Sequence, residues 1–238
     1  MQTRYQQTIG IIGGMGSYAT LDFFHRILTA FPAEKEWDRP RIIIDNRCTM
    51  PSRVRAILYH EACDEVRESL ANSTRSLLHN GADILILACN TSHVFLPGIL
   101  EDVPEAKGKF INIIDSLAKD LLENSKGPYR LLASEGTLDS GVYQSYLKPY
   151  GIEIEPPRKE DYPQFRSLIE DVKQDMIDED TVSHFIEVVE SGDNKNVIIG
   201  CTEFPPIYRQ AQEKLTKDGY KIFDPLNSTI EKLKAIIR

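Results

Sequence analysis

Gly81-Ala82-Asp83-Ile84-Leu85-Ile86-Leu87-Ala88-Cys89-Asn90-Thr91-Ser92-His93 is a short apolar run that stops at a small residue, a thiol and two hydrogen-bonding side chains. A run of this length between a glycine and a polar cluster fits a strand buried on both faces of a parallel sheet. Ligands in open α/β sheets bind beyond the carboxyl ends of such strands, which puts Cys89 at the floor of a crevice. The pattern returns at Asn196-Val197-Ile198-Ile199-Gly200-Cys201-Thr202-Glu203, again an apolar run followed by a small residue, Cys and Thr. The two cysteines lie about half the chain apart. That spacing is expected of a duplicated α/β lobe with one thiol at each equivalent strand end.

Working outward, apolar runs alternate with helical patterns along the whole chain. Thr8 to Ile12, Arg41 to Asp45, Phe110 to Ile114, Arg130 to Ala133, Gly151 to Glu155 and Lys221 to Phe223 read as further strands. This alternation predicts parallel sheets covered by helices on both faces. The charged stretch Pro104 to Lys109 is the expected lobe boundary. It gives a first lobe of residues 1–105 with 220–238, carrying Cys89, and a second of 106–219, carrying Cys201. A final helix is expected to run to Arg238. Gly13-Gly14-Met15-Gly16 joins a strand to a helix but matches neither a dinucleotide fingerprint nor a P-loop.

The chain has 238 residues, 41% hydrophobic and 27% charged, which suits one large core or two modest lobes. A formal net charge of −8 argues against nucleic acid or an anionic membrane as partner. No apolar run approaches the roughly 18 residues of a membrane span, and Met1 to Thr8 is polar, so a cytoplasmic address is expected. The cysteines show no zinc spacing, and Cys48 and Cys63 read as ordinary partly buried residues. A strand-end thiol facing a helix N-terminus can exchange protons near neutrality. Two such groups flanking one carbon invert its stereochemistry, one removing a proton while the other supplies one. His93 could serve Cys89 as a base, but its position one turn onward fits an orienting or capping role better. Arg53, Arg47 and Arg55 are rival carboxylate clamps on chemistry alone.

The glycine loop, Ala88-Cys89-Asn90-Thr91-Ser92-His93, Gly200-Cys201-Thr202-Glu203 and Leu131-Leu132-Ala133-Ser134-Glu135-Gly136-Thr137 resemble the aspartate/glutamate racemase family, the aspartate branch most closely. The resemblance implies two pseudo-symmetric α/β lobes with the active site between them, usually in a homodimer. It also implies racemisation of an amino acid, an acidic one such as aspartate, without pyridoxal phosphate, metal or nucleotide. Cys89 and Cys201 would be the two acid/base thiols. Asn90, Thr91 and Thr202 match positions that hold the α-carboxylate and ammonium, and Arg53 matches an arginine for a substrate carboxylate. Lys173 matches a second basic contact, with Met15 and Thr137 also placed at the substrate. The superfamily also contains maleate isomerases and malonate decarboxylases that use the same cysteines, and a silent carboxylate-binding protein is a further alternative. Glu135 departs from the family pattern, where small hydroxyl residues are usual. Side-chain alternation after the strand predicts that Ser134 or Thr137, rather than Glu135, lines the pocket.

Overall fold

Isoleucine, valine and leucine dominate the central strands, and the sheets that result are parallel throughout. The computed structural model describes residues 5–124 and 126–237. Met1 to Arg4 and Arg238, which enter the sequence reading of the polar start and the last helix, lie outside the described residues. The first half runs β1 (Ile9–Gly13), α1 (Ser17–Ala30), β2 (Ile42–Asn46), α2 (Arg53–Tyr59), α3 (Cys63–His79), β3 (Ile84–Leu87), α4 (Leu96–Asp102) and β4 (Phe110–Ile111). It continues through α5 (Ile113–Asn124), β5 (Tyr129–Leu132), α6 (Glu135–Ser140), α7 (Val142–Leu147), β6 (Ile154–Glu155), α8 (Tyr162–Lys173) and α9 (Glu179–Glu190). The chain closes with β7 (Asn196–Ile199), α10 (Phe204–Lys217), β8 (Lys221–Phe223) and α11 (Pro225–Ile236).

One sheet has the order β2-β1-β3-β4 and the other β6-β5-β7-β8. The second order repeats the first, strand for strand, which is the internal duplication that the two cysteine motifs implied. Cys89 therefore follows the third strand of one sheet and Cys201 the third strand of the other. Alternation along the strands divides the core: Ile9, Ile11, Ile84 and Ile86 join a large cluster that continues into the second sheet. Ile12, Leu85, Leu87 and Cys89 face a second cluster with Val66 and Leu70 of α3. Among the described residues no helix is long and apolar enough to cross a membrane.

The lobe boundaries need correction. β4 pairs with β3, Leu85 opposite Phe110, so Phe110–Ile111 completes the first sheet instead of opening the second. The charged Pro104 to Lys109 stretch is a tight connector within the first sheet, built on a 3₁₀ turn at Pro104–Ala106. β8 pairs with β7, so residues 221–223 belong to the second sheet, not the first. The following α11 packs on α5 and α1. The strand expected over Phe110 to Ile114 stops at Ile111, because the Asn112 side chain accepts hydrogen bonds from the Ile114 and Asp115 amides and starts α5.

Two local devices shape the mouth of the fold. Gly14 has φ of 81°, and a Cβ there would lie 2.5 Å from the backbone nitrogens of Arg47 and Cys48. Only glycine lets the first loop turn this tightly beside the end of β2. Ser52 caps α2 by accepting from the Arg55 amide at 3.2 Å, so Arg53 heads a helix where the sequence suggested a loop.

Candidate active site

The carboxyl ends of the two sheets meet around a small cleft of about 50 Å³. Of the expected site residues, Cys89, Cys201, Met15, Arg53, Asn90, Thr91, Lys173 and Thr202 all line it. Thr137 does not, and that expectation is corrected. Ser134 caps α6, so one helical turn carries Thr137 back beneath it, fully buried. There it joins a cluster of hydroxyls, Thr91 Oγ1 lying 2.9 Å from both Ser134 Oγ and Thr137 Oγ1. Ser134 faces the cleft and Thr137 positions Thr91. Glu135 stays out of the cleft as expected, although helix geometry rather than strand alternation turns it away.

Glu203, to which the sequence reading assigned no role, also lines the cleft and accepts three hydrogen bonds. Its Oε2 accepts from the Cys201 thiol at 3.0 Å and from Thr202 Oγ1 at 3.2 Å, while Oε1 accepts from the Gly16 amide at 3.0 Å. The only sequence signal was its place directly after Cys-Thr; its partner Gly16 lies far away in the chain. Burial pushes the Cys201 thiol well above its ordinary value, and the charge and hydrogen bond of Glu203 push it further. Cys201 is thereby held as a thiol, able to donate a proton.

On the opposite side, Tyr143, fully buried, donates to Asn90 Oδ1 at 2.7 Å. With that oxygen occupied, the amide NH₂ of Asn90 is the group left to meet a ligand. His93 is used structurally. The Ile113 amide donates to its Nε2 at 3.3 Å, which leaves Nδ1 to carry the proton and donate to the Cys89 carbonyl at 2.9 Å. Both ring nitrogens are engaged, so His93 orients the Cys89 turn and is not its base. Desolvation pushes its pKa down to about 4.

Three arginines were rivals for a carboxylate, and geometry separates them. Arg47 pairs with Asp45 and Arg55 with Glu61. Arg53 lines the cleft and donates only to backbone carbonyls, those of Pro51 at 3.0 Å and Met15 at 3.2 Å. Its Nε is buried without a partner, and among the described residues it makes no ion pair. Lys173 donates to Glu170 at 2.7 Å. Burial works to lower its pKa, but Glu170 and the nearby Glu203 outweigh that and raise it, so it stays cationic beside Cys201. Among the described residues no group of three or more His, Cys, Asp or Glu side chains could hold a metal ion.

The family model for Asp/Glu/hydantoin racemases matches residues 12–233. The chain belongs to this family. As a racemase-family protein it is similar to the broad specificity amino-acid racemase RacX of Bacillus subtilis (strain 168), 27% identical over 151 residues. It is similar, too, to the glutamate racemase of Aquifex aeolicus (strain VF5), 27% identical over 168 residues. The matched stretches are 61% and 68% of this chain and 63% and 61% of those two proteins, so the alignments span about three fifths of the curated relatives' length. Among solved structures, Picrophilus torridus aspartate racemase superposes with a TM-score of 0.80 at 26% identity, covering 98% of this chain and 96% of that one. The paired four-strand sheets are thus the racemase fold.

Two outcomes follow from these environments. His93 is neutral in the fold down to about pH 4 but titrates near 6.5 when unfolded, so the unfolded chain binds the extra proton between those values. Stability from the neutral ring is complete above pH 6.5 and is lost as pH falls toward 4, on the order of 3 kcal/mol at about 1.36 kcal/mol per unit. Urea denaturation across this range should show that slope in the wild type and a flatter one in His93→Gln; equal slopes would contradict the assignment. For Glu203→Gln, ultraviolet titration of the thiolate in a background with Cys48, Cys63 and Cys89 replaced by Ser should find Cys201 ionising at lower pH than with Glu203 present. An unmoved titration would mean that Glu203 does not govern the thiol.

Proposed function

We propose that this protein is an amino-acid racemase of the two-base type, acting on an acidic amino acid, with aspartate as the expected substrate. The observation that carries the reading is one cleft holding two thiols together with an arginine that has no carboxylate of its own. In the reaction, Asn90, Thr91 and Thr202 hold the α-carboxylate and ammonium while the side-chain carboxylate reaches Arg53. The Cys89 thiolate takes the α-proton, leaving a carbanion. The Cys201 thiol delivers its proton to the opposite face, forming the new C–H bond and leaving a Cys201 thiolate. The roles exchange in the reverse direction. Lys173 and the Glu203 hydrogen-bond set act on this second thiol, Lys173 offsetting the negative charge that develops there. A charge-assisted bond from Arg53 is worth about 1.5–3 kcal/mol, enough for roughly ten- to a hundredfold preference for an acidic side chain. The likeness to an aspartate racemase over nearly the whole chain supports the same substrate class. We further propose that the enzyme works as a cytoplasmic homodimer.

Incubation with each enantiomer of aspartate in deuterated water tests the reading. The expected result is loss of optical activity with deuterium at the α-carbon. Cys89→Ala and Cys201→Ala should each abolish racemisation, and each should leave α-proton exchange with one enantiomer only. Retained optical activity across acidic and neutral amino acids would contradict the proposal. Carbon dioxide released from malonate, or fumarate formed from maleate, would favour the decarboxylase or isomerase chemistry of the wider superfamily.

A further inference from the structure

A second and larger chamber of about 400 Å³ lies against the thiol cleft. The two share Ser52, Val54, Ser134, Ile169 and Lys173 as walls, so the chamber adjoins the cleft. Its charged side chains are paired: Arg55 with Glu61, Lys173 with Glu170, and Arg166 with Glu135. The first two pairs join residues close in sequence. The third bridges two helices, Glu135 at the start of α6 and Arg166 on α8. It is also lopsided, the Glu135 side chain being 17% exposed and that of Arg166 63%.

Glu135 has little freedom to leave this position. The residue before it, Ser134, faces the thiol cleft and is bonded to Thr91. At the residue after it, Gly136, an added Cβ would sit 3.1 Å from Val54 Cα and 3.2 Å from Thr91 Cγ2. α6 is therefore pressed against α2 and the Thr91 turn, and Glu135 at its start lines the chamber wall. An uncompensated carboxylate there would repel every acidic ligand on its way to Arg53. We propose that Arg166 is a specificity-determining residue: by pairing with Glu135 it neutralises the carboxylate at the mouth and lets an acidic amino acid reach Arg53. The inference rests on the racemase reading for its substrate. Arg166 does not line the thiol cleft, so its effect falls on binding and passage of charged ligands and not on proton transfer. Its exposure makes that effect sensitive to salt.

The test compares wild type, Arg166→Gln, Glu135→Gln and the double variant on aspartate at low and at molar salt. Arg166→Gln should lower kcat/KM about five- to tenfold at low ionic strength with kcat little changed. The deficit should shrink at about 1 M salt, where the screening length is only about 3 Å. Glu135→Gln alone should change little, and the double variant should recover the loss. A loss that salt leaves unchanged, a fall in kcat alone, or a deficit that persists in the double variant would overturn the inference. Calorimetry with succinate and with its monoamide reads the same effect without turnover. Weaker succinate binding by Arg166→Gln, with rescue in the double variant and a smaller loss for the singly charged monoamide, supports it; equal effects on both ligands overturn it. A wild type that binds succinate but leaves both aspartate enantiomers unchanged would sink the racemase reading and not this one.

Discussion

The carboxylate of Glu203 ties the two halves of the molecule together at the point where chemistry is expected. One oxygen accepts from the Gly16 amide in the loop between β1 and α1, and the other accepts from Cys201 and Thr202 after β7. Gly16 belongs to the loop that Gly14 allows to turn, and the two cysteine turns follow the equivalent strands β3 and β7. The cleft exists because two sheets of the same strand order present their third strands to one another. Glu203 makes the two sides unlike. It holds Cys201 as a thiol through a hydrogen bond, while Cys89 is oriented through its backbone by His93.

Around this bridge lies a set of hydrogen bonds that also cross between the halves. Tyr143 of the second half fixes Asn90 of the first, and Ser134 with Thr137 fixes Thr91. Each contact consumes one polar atom of a ligand-facing residue and thereby decides which of its groups remains free. Arg53 stands apart, with a buried Nε lacking any partner. An unsatisfied buried donor on a charged group costs free energy comparable to a lost hydrogen bond, about 1–3 kcal/mol or more. A carboxylate arriving in the cleft would recover that cost, which is a physical reason to expect an acidic ligand.

Much of this was legible in the sequence, and the failures have physical causes. The thiols could be read because each closes a short apolar run, Ala88-Cys89-Asn90-Thr91 after the first and Gly200-Cys201-Thr202 after the second. β4 and β8 were assigned to the wrong halves because they are edge strands of two and three residues with almost no pattern of their own. Thr137 was misjudged because an extended chain was assumed where Ser134 begins a helix. Glu203 had no assigned role because its meaning comes from Gly16, distant in sequence and adjacent only in the fold. The choice among Arg47, Arg53 and Arg55 was likewise a matter of which carboxylates stand nearby, and neighbours across the fold are invisible to spacing.

A crystal structure with succinate bound tests the central claim most directly. The account predicts one ligand carbon flanked by the Cys89 and Cys201 sulfurs on opposite faces, with one carboxylate on Arg53 and the other among Asn90, Thr91 and Thr202. A ligand carbon approached by a single sulfur, or both carboxylates held away from Arg53, would contradict it.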